Sequence, residues 1–288
     1  MEDISPIKAL LKLTRINMSM AIAFSALAGY IYYSHALDWT ALILFIGVLF
    51  LAVAATVINQ YQERHQDALM TRTKDRPLPA GQLKSRTAII IAIVMLSAGS
   101  AMLYFFTTPI TALLGIFNVI WYNALYTPLK KITSFAVLIG AVTGAVPPMM
   151  GWTAAGGSIL SHDIIFITFF MFFWQIPHFC LLLLKFKKDY EAAGFPSITS
   201  LFDERNVQFI IFIWILGTAI STLIFPLFHV ISGLFLIGCI VVLNIILIIF
   251  FFRNTFNRNV AFNLSQAFRS LYLYQVVVLA LLIVQALK

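Results

Sequence analysis

Read for apolar and polar positions, the chain is a succession of long greasy runs with short polar punctuation. Crossing a bilayer takes about 20 consecutive apolar residues in a helix. Nine runs approach that length, at 16–34, 39–59, 87–106, 109–127, 134–154, 164–184, 208–226, 230–251 and 270–287. The pattern predicts an all-α, polytopic membrane bundle of nine transmembrane helices, formed as a single membrane domain over residues 1–288. The divisions at 106–109 and 226–230 are the narrowest. Ala26-Leu27-Ala28 has the small-residue look of a signal-peptidase site. The apolar run continues past it through Gly29-Tyr30-Ile31-Tyr32-Tyr33, however, so the segment is read as the first span.

Composition agrees with this reading. Residues are 61% hydrophobic and 10% charged, with a mean hydropathy of +0.95, against roughly 45–50% apolar and 25% charged in soluble domains. The net charge of +8 is first a matter of topology. With the N-terminus placed in the cytoplasm, eighteen of the nineteen lysines and arginines fall on that side. They are Lys8, Lys12 and Arg15, six residues from Arg64 to Arg86, Lys130 and Lys131, Lys185, Lys187, Lys188 and Arg205, then Arg253, Arg258 and Arg269. Only Lys288 is left outside, so the positive-inside rule orients the chain N-in and C-out. The basicity calls for no nucleic-acid partner. Cys180 and Cys239 sit inside apolar runs and read as small buried hydrophobes rather than a disulfide or a metal cluster.

One stretch breaks the apolar pattern. Residues 59–81 read NQYQERHQDALMTRTKDRPLPAG. Asn59, Glu63 and Asp67 are spaced i, i+4, i+8, which stacks their oxygens along one face of a helix running on from the second span. Arg72, Lys74 and Arg76 come next, and Pro77-Leu78-Pro79-Ala80-Gly81 forbids further helix. Oxygen ligands beside a cationic loop suit Mg²⁺ and a phosphate. Four spans later a second mixed loop carries Asp189, Glu191, Asp203 and Glu204 with Lys185, Lys187 and Lys188, a weak internal duplication. Lys130 and Lys131 form a further cationic pair after the fourth span, preceded by Tyr126. Asp38 and Asp163 stand alone on the opposite side and read as helix-start residues, while Glu2 and Asp3 carry no reading. Within the spans, His178 lies near the cytoplasmic end of the sixth, beside Trp174, Gln175 and Pro177, and the proline predicts a kink there. Gly140 and Gly144 form a close-packing GxxxG face. Together these features predict a cavity at the cytoplasmic mouth that holds the diphosphate of a greasy substrate, its tail lying between helices. Metal and Lys/Arg charges would stabilise the departing diphosphate.

Several pieces carry a family resemblance. They are the Asn59-x₃-Glu63-x₃-Asp67 ladder, Met70-Thr71-Arg72-Thr73-Lys74-x-Arg76-Pro77-Leu78-Pro79-x-Gly81, Tyr126-Thr127-x-Leu129-Lys130-Lys131-x-Thr133, Gly144-Ala145-x-Pro147-Pro148-x-x-Gly151-Trp152, Trp174-Gln175-x-Pro177-His178-Phe179, Asp189-Tyr190-x-x-Ala193-Gly194 and Ser270-x-Tyr272-Leu273. In these the chain resembles the UbiA superfamily of intramembrane prenyltransferases, and within it the heme-farnesylating branch. The resemblance implies nine helices in a bacterial inner membrane with the active site on the cytoplasmic side. It also implies Mg²⁺-dependent transfer of farnesyl from farnesyl diphosphate to a vinyl group of heme b, with addition of water. By the same resemblance Asn59, Glu63, Asp67 and Asp189 would be catalytic and hold Mg²⁺. Arg72, Arg76, Lys130 and Lys188 would meet the diphosphate, with Lys74, Lys131 and Tyr126 beside it, and His178 would contact heme. Membrane lipid, and a heme A synthase or a terminal oxidase as assembly partner, complete the implied surroundings. The chain departs from the family at Glu63 and His65, where aspartates are usual, and at Pro196-Ser197-Ile198-Thr199, where Pro-Met-Leu-Pro is usual. Two other functions compete: a prenyltransferase of the same superfamily acting on an aromatic or quinone precursor, and a transporter or non-catalytic heme-handling protein.

Overall fold

The computed structural model describes residues 6–257 and 262–288, so Glu2, Asp3 and Arg258 lie outside the described residues. Nine helices among the described residues are long and apolar enough to cross a membrane. A short helix α1 (Pro6–Thr14) leads into the first span, α2 (Ile16–Ser34), through Arg15, whose backbone is left-handed. The second span is α3 (Trp39–Gln62), continued by the short α4 (Arg64–Leu69). Next come α5 (Ser85–Phe106) and a composite span built from α6 (Pro109–Ile120), a π-helical turn (Trp121–Tyr126) and α7 (Thr127–Leu129). The second half holds α8 (Ala136–Ala154), α9 (His162–Lys185), the short α10 (Lys187–Ala192) and α11 (Ile198–Leu201), then α12 (Glu204–Leu223), α13 (Leu234–Phe256) and α14 (Leu264–Ala286).

Helix starts obey ordinary capping chemistry. Asp38 accepts the Ala41 amide at the head of α3 and the Tyr30 hydroxyl (2.7 Å), which holds its carboxyl below its usual range. Thr108 caps α6, with Pro109 in the first helical position, and this separates two spans that sit only two residues apart. Of the last three spans, two begin before their apolar runs, while α13 begins after the start of its run and extends beyond it to take in Arg253. α12 starts at Glu204 and α14 at Leu264, so Arg205 and Arg269 lie inside helices rather than in loops. Long cationic stems can lie along apolar surface with their heads in water.

Lipid offers helices no hydrophobic drive to associate, so close backbone approach has to do that work. α2 packs against α8 through glycines on both sides. A Cβ on Gly151 would strike the Ala26 carbonyl, and one on Gly29 would strike that of Pro148. Gly140 and Gly144 serve differently, since a Cβ at the first would meet the Tyr126 ring (2.7 Å) and one at the second the Gln175 side chain. The predicted close-packing face therefore seats two side chains of the polar end. One buried cluster joins α8, α9, α12, α13 and α14, and a second joins α2, α3, α5, α6 and α8. Thr222, Asn244 and Tyr274 are buried among the last three spans, and each is satisfied by the other two.

Candidate active site

α3 delivers the acid ladder, but not on one unbroken helix as the spacing predicts. Glu63 leaves α-helical geometry (φ −104°, ψ 8°) and joins α3 to α4. Periodicity cannot register a single residue's dihedrals. The backbone bonds from Glu63 N to Asn59 O (2.9 Å) and from Asp67 N to Glu63 O (2.7 Å) nevertheless carry the i, i+4 relation through the break. All three residues are buried, at 3%, 4% and 3% exposure.

Each carboxylate has its own cation. Lys130 Nζ lies 2.6 Å from Glu63 Oε1 and 2.8 Å from Oε2, and Arg76 Nη1 lies 2.6 Å from Asp67 Oδ2. Burial lowers the Lys130 pKa and Glu63 raises it, and the net result stands above the usual lysine value. Its ammonium also sits 4.9 Å from the Phe195 ring centroid. Asn59 donates from Nδ2 to Thr127 Oγ1 (3.1 Å), and Thr127 donates to the Tyr122 carbonyl (2.8 Å). Because that hydroxyl's proton is committed, it can only accept from Asn59. The amide is therefore oriented with its oxygen turned away from Thr127.

The cationic loop closes over the ladder. Thr73 Oγ1 bonds to the Asp67 carbonyl (2.9 Å), and Arg72 lies over the Phe186 ring (4.5 Å). Asp189 accepts the Thr71 amide at Oδ1 (2.9 Å) and the Arg72 amide at Oδ2 (3.3 Å), so the second acidic segment does come to the first motif. Lys131 reaches the Gln62 carbonyl (3.1 Å). Lys74 and Lys188 are exposed and make no ion pair among the described residues, and His65 is exposed too. Tyr126 is buried and stacks on Phe179 at 5.9 Å. α9 continues through Pro177, and His178 sits in an aromatic cage. Its ring stacks on Trp174 (5.2 Å, 12°) and meets Tyr272 (5.1 Å) and Phe268 (5.7 Å) edge-on, while Nδ1 is buried with no hydrogen-bond partner among the described residues.

Sequence reasoning missed three neighbours. Arg15 is partly buried, and its guanidinium interacts electrostatically with Arg76, Arg72, Asp67 and Tyr122. Burial first, and Arg76 second, hold its pKa below the usual arginine value. Gln62 Nε2 donates to the Asn123 carbonyl (3.0 Å), and the side-chain amide oxygens of Gln62 and Asn123 are buried with no donor among the described residues. A residue just before the first span reads as a topology signal, and nothing local connects it to a loop 60 positions on.

The site and fold define a class. The sequence profile of the UbiA prenyltransferase family matches residues 21–283, and the chain belongs to that family. Among curated relatives it is 38% identical over 221 residues to a protoheme IX farnesyltransferase of Geobacter sulfurreducens, covering 76% of this chain and 80% of that one. It is 36% identical over 227 residues to the enzyme of the same name from Christiangramia forsetii, covering 78% and 74%. The fold is shared with a digeranylgeranylglyceryl phosphate synthase (TM-score 0.79, 18% identity, full coverage of both chains). It is shared also with a UbiA homolog from Archaeoglobus fulgidus bound to GPP and Mg²⁺ (TM-score 0.70, 16% identity, 96% and 98% coverage).

Proposed function

We propose that the chain transfers the farnesyl group of farnesyl diphosphate to a vinyl group of protoheme IX, giving heme O. The observation that carries this reading is the buried oxygen ladder with a cation already against each carboxylate, in a chain whose curated relatives are protoheme IX farnesyltransferases. The nine helices and the family make it an integral membrane enzyme. We place its polar end in the cytoplasm on the strength of the Lys/Arg segregation and treat the whole chain as one membrane domain.

A divalent cation fits the ladder. Mg²⁺ is usually held by one or two carboxylates together with substrate phosphates, and Glu63, Asp67 and the oriented Asn59 oxygen are a hard-oxygen set of that kind. Among the described residues no three His, Cys, Asp or Glu side chains gather as a metal cage, which leaves the substrate's phosphate oxygens to complete the shell. Mg²⁺ at these three residues would neutralise charge on the diphosphate as it departs. The protein's own contribution is fixed charge. Arg76 and Lys130 are gathered at the ladder by the acids they pair with, and Arg72 and Arg15 belong to the same cationic group, so the leaving diphosphate would meet positive charge already assembled there. Lys131 and Tyr126 flank this group. The buried Nδ1 of His178 has no partner among the described residues, and the ring is packed among Trp174, Tyr272 and Phe268; we assign this aromatic cluster to the heme side of the site. The product would pass to a heme A synthase or a terminal oxidase.

The test is incubation of membranes containing the protein with heme b, farnesyl diphosphate and Mg²⁺. Farnesylated heme should appear by mass spectrometry and vanish with Asp67→Asn. Consumption of the diphosphate without a heme product would move the acceptor to an aromatic or quinone precursor. No product at high expression would sink the assignment.

A further inference from the structure

The second acidic segment touches the first motif through one side chain, and what it touches is backbone. Both Asp189 carboxylate oxygens are engaged by consecutive amides, Thr71 N–H at Oδ1 (2.9 Å) and Arg72 N–H at Oδ2 (3.3 Å). A carboxylate that spans two successive N–H groups fixes the local turn as well as holding it. The attachment is reinforced on either side. Met70, just before the turn, is buried in the same cluster as Tyr190 and Phe195, which lie just beyond Asp189 in sequence. Arg72, at its end, lies over Phe186, one residue ahead of α10.

The consequence lies a few residues further on. Thr73 N bonds to the Met70 carbonyl and Arg76 N to that of Thr73, so the turn that Asp189 holds sets the register of the loop behind it. In that register Thr73 reaches the Asp67 carbonyl and Arg76 reaches its carboxylate. By contrast, Glu63 and Asp67 are each met by a side-chain cation, the kind of partner a diphosphate or metal can share or displace. Asp189 is engaged by main-chain amides that have no other acceptor among the described residues.

We propose that Asp189 is a positioning residue. It straps the cationic loop onto α10, and so holds Arg76 against Asp67 and Arg72 against Phe186, in place of serving as a ligand to the metal. The catalytic arm of this inference rests on the prenyl-transfer reading, but its structural arm does not.

The experiment uses the full chain in detergent with Asp189→Asn, Asp189→Ala and Asp67→Asn. Amide hydrogen exchange at Thr71 and Arg72 is tracked by mass spectrometry, and Mn²⁺ binding in the presence of farnesyl diphosphate by electron paramagnetic resonance. Asparagine keeps an acceptor oxygen but loses the charge. Asp189→Asn should therefore leave the Mn²⁺ midpoint within about threefold of the parent and retain most of the exchange protection. Asp189→Ala should speed exchange at those two amides by about tenfold or more and lower the transfer rate, with the Mn²⁺ midpoint again little changed. Asp67→Asn should weaken Mn²⁺ and leave the two amides protected. A shift of the Mn²⁺ midpoint by about tenfold in Asp189→Asn, with Thr71 and Arg72 still protected, would make Asp189 a ligand and overturn the proposal. Unchanged exchange in Asp189→Ala would overturn it as well. If the chain proves not to prenylate heme, the exchange and Mn²⁺ results still decide the role of Asp189.

Discussion

Replacing Lys130 with methionine isolates the energetics of the site. Methionine has similar bulk, so the packing against Phe195 is largely kept and the ammonium is what disappears. Glu63, whose side chain is 5% exposed, is left without its cation. Removing one partner of a buried pair costs about 3–5 kcal/mol, because the remaining charge is stranded in a poor dielectric. At roughly 2–4 °C per kcal/mol for a chain of this order, the melting midpoint should fall by about 10 °C. Lys131→Met is the comparison, since that lysine is exposed and reaches only a backbone carbonyl. Its effect should stay within about 0.5 kcal/mol. The double variant Glu63→Gln/Lys130→Met removes both charges and should recover most of the loss, a coupling of about 2 kcal/mol or more. Unfolding in detergent can be read from maleimide-dye labelling of Cys180, which is 1% exposed in the fold. Coincident melts for Lys130→Met and Lys131→Met, or a double variant no more stable than the single, would refute the buried-pair reasoning.

The same pair predicts a pH dependence. The folded pKa of Lys130 stands above its ordinary value of 10.5, so the stabilisation is fully present below that value and is lost as pH rises through the folded pKa. The melting midpoint should therefore show a fall above about pH 10.5 that the double variant lacks, and an identical fall in both would assign it to other groups. His178→Ala should strip heme from the protein as purified, seen as loss of the Soret band, while farnesyl diphosphate binding by calorimetry stays unchanged. Heme retained at parental level would remove His178 from the acceptor site. Gly151→Ala would drive a methyl into the Ala26 carbonyl and should cost about 3 kcal/mol or more, enough to cut the folded yield by size exclusion. Gly238→Ala meets nothing and should be neutral or stabilising by up to about 1 kcal/mol. Equal yields from the two would argue against the tight α2–α8 crossing.

The spans are legible because the bilayer imposes a length: each of the nine runs falls on one helix, with ends that differ by up to six residues. The ladder is legible because i, i+4 spacing survives even where the helix breaks at Glu63. Asp38 is readable as a cap, since a lone acid ahead of an apolar run has little else to do. The rest is tertiary. Arg15 reaches the site only because α1 folds back onto α3, and a cation before a first span is already explained by topology. Asp189 reads as a second copy of the first motif's acids, yet the structure spends it on Thr71 and Arg72, because hydrogen bonds to backbone leave no trace in residue type. Lys74 and Lys188 stand out by charge and position along the chain, which do not distinguish a side chain facing the acid ladder from one facing water.

The π-helical turn at Trp121–Tyr126 has an implication for how this end of the molecule can vary. A ring closed from i to i+5 holds one residue more than an α-helical turn, while the helix on either side keeps its phase. The surplus residue is a local detour, so removing one position within 121–126 would let the backbone close into ordinary α geometry without rotating α7 or the lysines beyond it. Lys130 would still face Glu63, whereas Trp121, Asn123 and Tyr126, which now contact Ile139, α3 and Gly140, would be reshuffled. The aromatic lining and the ion pair are thus separately editable. The packing of this turn can drift by the loss of one residue while the Lys130–Glu63 pair next to it stays put.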